Sequence, residues 1–390
     1  MSDEKTCVKP KQIPELTGLR GLAALFIIVN HLVLVLPCIR DTALCYYTTQ
    51  CGLAGMSLFF ILSGIVIYYN YAERIRAAPV SETKAFFVAR FARLYPLYIV
   101  FILGFFVWNA FRHSELLPRH ISSLPIFLTG MQSWLYGYID GTEILYHQEE
   151  ANISWSISTE FALYFAFVPL VLLMRKSGWK AGLAVVSAAF LGRLCFLYVV
   201  YGLQWPTAWM DSLFPGHPDA AWAYLVYHSP VGRLFEFVFG CGVAMIYRHL
   251  QENGVGRMAK ASSLMSWLAA LVLLVMVCCK CFSFPIWDHT VITAIFMLFC
   301  LGLPCLGGGP VLRGRVLNFL GEVSYSAYLL HIVFVILLHY DGRHWHSVAG
   351  TLAGFVVFTY LLAYLSWRYL ETPARRLVRN LFRNGKGSAR

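Results

Sequence analysis

Residues 16–36 read LTGLRGLAALFIIVNHLVLVL. The run is apolar and long enough for one helix of roughly 20 residues to cross a bilayer. It nevertheless carries Arg20 near its start and His31 well inside, beside Asn30. Arg20 and His31 are eleven positions apart; at about 100° per residue that is three turns plus roughly 20°, so both leave the helix on one face. A rise of 1.5 Å per residue separates them by about 16 Å along the axis, about half the hydrocarbon thickness. With Arg20 at the cytosolic headgroups, His31 lies near the midplane. A snorkelling arginine and a hydrogen-bonded core histidine would account for the same residues. Ionisable groups inside a membrane are costly enough that function is the better default.

Composition agrees with a membrane chain. Of 390 residues, 58% are hydrophobic and only 13% charged, and the mean hydropathy is +0.62. Soluble proteins average about 25% charged residues, so the chain reads as an all-α, polytopic transmembrane bundle. The net charge of +11 would suggest nucleic acid in a soluble protein. Here the charges sit in short segments between apolar runs, which points to membrane orientation and to no nucleic-acid partner. Asp3, Glu4 and Glu15 precede a first apolar run too long for an h-region, so no cleavable signal is expected. The eleven cysteines show no metal spacing, and no metal is expected.

Ten spans are expected, at 18–36, 52–70, 95–111, 158–174, 182–203, 225–247, 262–281, 290–306, 318–339 and 347–367. With the N-terminus inside, 24 of the 31 Lys and Arg fall on the cytosolic side, counting Arg20 at the inner end of its span, and 5 on the outer side, counting Lys280 at the outer end of its span, while Arg193 and Arg233 lie deeper within spans. The asymmetry puts both termini in the cytosol. No repeat, linker or soluble domain is visible, so residues 1–390 read as a single membrane domain. Its short basic tail, 368–390, is expected along the inner headgroups.

Outer segments differ in character. Residues 37–51 contain Cys38, Cys45 and Cys51; on this topology they face an oxidising compartment, where one disulfide with a spare thiol and three free thiols both stand. Within 112–157, the piece 121–136 is expected to dip into the outer leaflet as a re-entrant or interfacial segment. Residues 204–224 hold Trp205, Trp209, Trp222 and Tyr224 without a Lys or Arg. They read as an interfacial aromatic belt, or as a stacking platform for sugar rings.

Polar groups recur in short stretches. FFVARFARLYPLY puts Arg90 and Arg93 three apart on one helical face, suited to bidentate phosphate capture or to simple positive-inside anchoring. Ser63 and Gly64 in SLFFILSGIVIYY favour close helix packing. ISWSISTEFALYFAFVP sets Trp155, Ser156, Ser158 and Glu160 at the outer mouth of the fourth span. Arg233 and Glu236 in RLFEFVFG, three apart, read as an internal ion pair. In SYSAYLLH, Ser324 and His331 are seven apart and share a face, with Tyr328 between them. His331 then reaches a depth comparable with His31.

In their shared order these stretches resemble acyltransferase family 3, the integral-membrane O-acyltransferases of bacterial surface sugars and some small metabolites. The resemblance runs from Arg20 and His31 through SLFFILSG, RFARLYP, SWSISTE and SYSAYLLH to YLETPARR, nearly the whole chain. It implies a cytosolic acyl-coenzyme A donor, commonly acetyl-coenzyme A, as co-substrate, with no permanently bound cofactor. It implies a carbohydrate or glycolipid acceptor on the outer side, the inner membrane as location, and His31 as the base. Some members carry an SGNH esterase-like domain after the last span; no such domain is expected here, nor is a G-x-S-x-G elbow visible.

Acyl transfer from a thioester to an alcohol needs a base, for which histidine has a suitable pKa, and positive charge for phosphates and oxyanion. Arg20, Arg90 and Arg93 are expected to hold the donor's phosphates while its arm carries the thioester to His31. Ser324, Tyr325, Tyr328 and His331 are candidates for oxyanion contacts on the donor side. Trp155, Ser156 and Glu160 mark the expected acceptor entrance, although Glu160 also suits a helix N-cap. A secondary transporter of an anionic or sugar metabolite, with Arg20, His31 and Glu160 as its sites, is the alternative from another class. A sensor or scaffold in polysaccharide assembly is a third.

Overall fold

The computed structural model describes residues 13–36, 42–139, 141–174, 178–213, 220–253, 312–341 and 348–384. The expected spans 262–281 and 290–306 lie outside the described residues, as does Cys38. Among the described residues seven helices are long and apolar enough to cross a membrane, and one bent helix pair raises that to as many as eight. The chain is a helical membrane protein.

Helix α1 (Pro14–Val35) opens on a proline, whose ring presets a helical φ where no N–H is needed. Helices α2 (Ala43–Ala77) and α3 (Pro79–Arg112) meet at Ala78, which takes φ −145° and ψ 73°. Proline at 79 disfavours the helical region for the residue before it, which breaks one long helix into two. Both helices begin well before the expected starts at 52 and 95. Apolar runs mark only the part in hydrocarbon; the polar turns of α3 stay helical because Phe86, Arg90 and Leu94, spaced four apart, are buried on one side. Cys45 and Cys51 are consequently not loop residues. Both lie on α2 as free thiols, which removes a disulfide between these two.

Helix α2 is central: α1 packs along one side and α9 (Pro230–Asn253) along the other. Between α3 and α5 (Trp155–Leu173), the connecting segment is built rather than irregular. Its α4 (Leu117–Thr129) turns Phe127 inward and leaves Ile121 exposed, the amphipathic habit of an interfacial helix. Gly130, at φ 68°, ends it in the left-handed conformation, with Met131 N–H donating to the Ile126 carbonyl. A two-residue hairpin follows, β1 (Tyr138–Ile139) against β2 (Thr142–Glu143). After α6 (Trp179–Leu197), helix α7 (Trp205–Leu213) carries Trp205 and Trp209 on the surface and α8 (Ala220–Ala223) carries Trp222 there. That placement suits the aromatic belt.

The ninth expected span is not one straight helix. It divides into α10 (Arg315–Glu322) and α11 (Ser324–Asp341), bent by 73°. Asn318 Nδ2 donates to the Leu312 and Gly314 carbonyls and Arg313 pairs with Glu15 at 2.5 Å, which lays α10 across the first turns of α1. Helix α12 (Val348–Ser366) continues through a wide turn at Trp367–Glu371 into α13 (Thr372–Asn384), which packs on α3.

Candidate active site

Five helices converge on one cavity. Helix α1 contributes Arg20; α2 contributes Phe59, Phe60 and Ser63; α3 contributes Arg90, Arg93 and Leu94. Helix α5 adds Ser156 and Glu160, and α11 adds Ser324, Tyr325 and Tyr328. Of the residues singled out in the sequence, Arg20, Arg90, Arg93, Ser156, Glu160, Ser324, Tyr325 and Tyr328 thus line the same space. Their positions span about 300 residues of chain, so only the fold brings them together.

One part of the cavity is cationic. Arg20 has Arg93, Glu160 and Arg90 as charged neighbours and donates no hydrogen bond among the described residues. Arg90 is buried, donates from Nη2 to Tyr71 Oη at 3.1 Å and lies over that ring, 5.1 Å from its centroid. Arg93 Nε is buried with no hydrogen-bond partner among the described residues. Three guanidiniums therefore face a single carboxylate. Burying uncompensated charge is expensive, so the arrangement favours an anionic ligand carrying planar or tetrahedral oxygens.

Glu160 is placed differently from the sequence expectation. It does not stand apart in an acceptor entrance but shares the cavity with the arginines. Its Oε1 accepts from Ser63 Oγ at 3.0 Å and from Tyr164 Oη at 2.7 Å. Ser63, read from sequence as a packing residue, is thereby also a site residue. Trp155 does not line the cavity either. Its indole is buried against the Arg233 guanidinium, 5.7 Å from the ring centre, and beside Phe60 and Tyr227. The attraction of a buried cation for an aromatic face explains its inward turn.

His31 and His331 do not line the cavity; they meet beside Tyr328, which does. His31 Nδ1 lies 2.7 Å from His331 Nε2, and His331 Nδ1 lies 2.6 Å from the Tyr328 carbonyl oxygen. Tyr328, whose ring centre is 6.0 Å from that of His331, connects the pair to the cavity wall. The hydroxyls proposed as oxyanion contacts are already engaged. Tyr325 Oη donates to the Leu94 carbonyl at 2.5 Å, Tyr328 Oη to Ile153 at 2.7 Å, and Ser324 Oγ to Gly321 at 2.8 Å. Ser156 Oγ donates to Tyr328 Oη at 2.8 Å, so two residues assigned from sequence to opposite substrates form one bond between α5 and α11. These groups shape and brace the wall, and Arg20 and Arg93 are left without a hydrogen-bond acceptor among the described residues, while Arg90 is held by Tyr71.

Beneath α11, Glu371 was not singled out from the sequence. It is buried, accepts from Ser326 and pairs with Arg375, fixing the inner end of α11 to α13. A carboxylate at the end of an apolar run is the signal that could have found it.

A multi-span helical bundle with a buried, cation-rich cavity and a histidine pair defines a membrane protein built around an internal polar site. The profile of the acyltransferase domain family matches residues 13–368, and the chain belongs to that family. It is 22% identical over 94% of its length to the peptidoglycan O-acetyltransferase OatA of Listeria monocytogenes, covering 56% of that protein. It is 28% identical to the acyltransferase MdmB of Streptomyces mycarofaciens, over 94% of this chain and 92% of MdmB. With the putative peptidoglycan O-acetyltransferase YrhL of Bacillus subtilis the identity is 25%, over 94% of this chain and 55% of YrhL. The chain thus spans about half the length of OatA and YrhL and nearly all of MdmB. No solved structure matches.

Proposed function

We propose that the protein is an O-acyltransferase of the inner membrane, with a single membrane domain, ten spans and both termini in the cytosol. It moves an acyl group, most simply acetyl, from cytosolic acyl-coenzyme A to a hydroxyl of a sugar in a surface polysaccharide, lipopolysaccharide or glycolipid. The observation that carries this reading is the cavity with three arginines against one carboxylate, whose wall residue Tyr328 lies beside two paired histidines. Phosphates of the coenzyme supply the missing negative charge at Arg20, Arg90 and Arg93. The names of the relatives support acetyl as the group and a glycan as the acceptor.

In this reading the acceptor hydroxyl attacks the thioester carbon while His31 takes its proton. The tetrahedral oxyanion collapses, the C–S bond breaks, and the imidazolium returns the proton to the departing thiolate. Glu160 offsets part of the arginine cluster's charge, and Ser156 lies where the acceptor meets Tyr328. Purified protein in liposomes, with labelled acetyl-coenzyme A on the cytosolic side and candidate glycans on the other, tests the proposal. Label covalently on glycan is expected. Label or substrate crossing unchanged, with no acylated product, would instead mean a transporter.

A further inference from the structure

The histidine pair contains more information than the presence of a base. A backbone carbonyl only accepts hydrogen bonds, so His331 Nδ1, 2.6 Å from the Tyr328 oxygen, must carry a hydrogen. His331 is fully buried and no carboxylate touches its ring among the described residues. An imidazolium there would be an uncompensated charge, so the ring is neutral and its Nε2 is a bare acceptor. His31 Nδ1, 2.7 Å away, must then be the donor. One tautomer follows from the next. His31 is left with hydrogen on Nδ1 and an open lone pair on Nε2, which makes no hydrogen bond among the described residues.

Ring geometry supports the same direction. The two imidazoles are 15° from parallel with centroids 4.9 Å apart. Parallel rings in face contact are held about 3.5 Å apart by van der Waals radii. A separation of 2.7 Å between nitrogens therefore places the rings edge to edge, near one plane, with the N–H of one aimed along the lone pair of the other.

We propose that His331 is a positioning residue that fixes His31 as the Nδ1–H tautomer and so assigns Nε2 of His31 as the atom that receives the acceptor's proton. The role is that of the third member of a hydrolase triad, here taken by a neutral imidazole whose own tautomer is set by the Tyr328 carbonyl. The proposal rests on His31 being the base.

Two measurements test it. Nitrogen-15 histidine spectra of the detergent-solubilised protein are expected to show both rings with pyrrole-type Nδ1 and pyridine-type Nε2. Hydrogen on His31 Nε2 would overturn the proposal whatever the activity. In turnover assays His331→Leu, which accepts no hydrogen bond, should lose about tenfold to a hundredfold in kcat, less than the roughly ten-thousandfold loss when a triad base is held in the wrong tautomer. The dissociation constant of acetyl-coenzyme A should not move. His331→Gln, whose side-chain oxygen reaches the Nε2 position, should recover most of the rate, and the shorter His331→Asn should not. Equal rates for the Gln and Leu variants would reduce His331 to packing and overturn the proposal. Full activity of His31→Gln would remove the base itself, a distinct failure that the spectra of the wild-type pair would still separate from the tautomer assignment.

Discussion

Gly64 of α2 and Gly240 of α9 interlock. A β-carbon on Gly64 would sit 2.1 Å from the Phe237 carbonyl oxygen, and one on Gly240 would sit 2.1 Å from the Ile61 carbonyl oxygen. Each glycine therefore admits the partner's backbone, as small residues do where membrane helices approach closely. Replacing either with leucine should cost about 1–3 kcal/mol or more, by forcing the helices apart. The check is thermal unfolding of each variant in detergent. Because Ser63 precedes Gly64 and lines the cavity, the same variants should also loosen the Ser63–Glu160 bond.

Arg20 and Glu160 should separate by readout. A charge-assisted contact is worth roughly 1.5–3 kcal/mol, so Arg20→Ala should raise the acyl donor's dissociation constant about tenfold to a hundredfold. Arg20→Lys should recover part of that, keeping the charge and losing the fork. Glu160→Gln keeps an acceptor for Ser63 and Tyr164 but removes the one carboxylate that lines the cavity among the described residues. It should hold or tighten donor binding while leaving the acceptor KM unchanged. Calorimetry with the donor and initial rates at varied acceptor decide this; a rise confined to acceptor KM would return Glu160 to the acceptor side.

Arg233 and Glu236 form a buried pair at 3.0 Å, with Ser57 Oγ donating to the carboxylate at 2.9 Å and Arg233 Nε donating to the Tyr227 carbonyl at 2.7 Å. Removing one charge leaves the other without its partner. Glu236→Ala should therefore destabilise by about 3–5 kcal/mol, whereas Arg233→Met with Glu236→Leu should cost much less. Melting of the single and double variants measures the difference.

Glu143 gives a pH signature in the segment between α3 and α5. Burial pushes its carboxyl up from the ordinary 4.5 to about 7. Between those values the folded protein holds a proton that the unfolded chain has released. The contribution is fully present below the unfolded pKa, falls as pH rises, and is lost once pH passes the folded pKa near 7. Glu143→Gln should remove this slope. Relative to the variant, wild-type melting temperature should decline from pH 4.5 to pH 7 and stay level above it.

Much of this was readable in the chain itself. A crossing of the bilayer imposes a length and a composition, so α1, α2, α3, α5, α6, α9 and α12 appear as apolar runs. Arg20 and His31 share a face by helical geometry alone. The bend before α11 was missed although Gly321, Glu322 and Ser324 interrupt the apolar run around Val323, because its direction is set by contacts of α10 with α1. Glu160 was misplaced for a related reason. Its depth follows from its own helix, but its neighbours on α1, α2 and α3 are set by how five helices pack. Trp155 was read as part of the acceptor entrance because local sequence shows the aromatic ring and not the arginine, 78 positions on, that occupies its face.

Helix α1 runs unbroken from Pro14 to Val35, and it carries both Arg20 and His31. On the proposed reading, one end of this rod touches phosphate and the other touches the proton in flight. No hinge lies between them, so their spacing acts as a gauge. A donor whose arm is short by a few bonds can satisfy either end and not both, and chain length becomes a criterion of selection before the acyl group itself is ever tested.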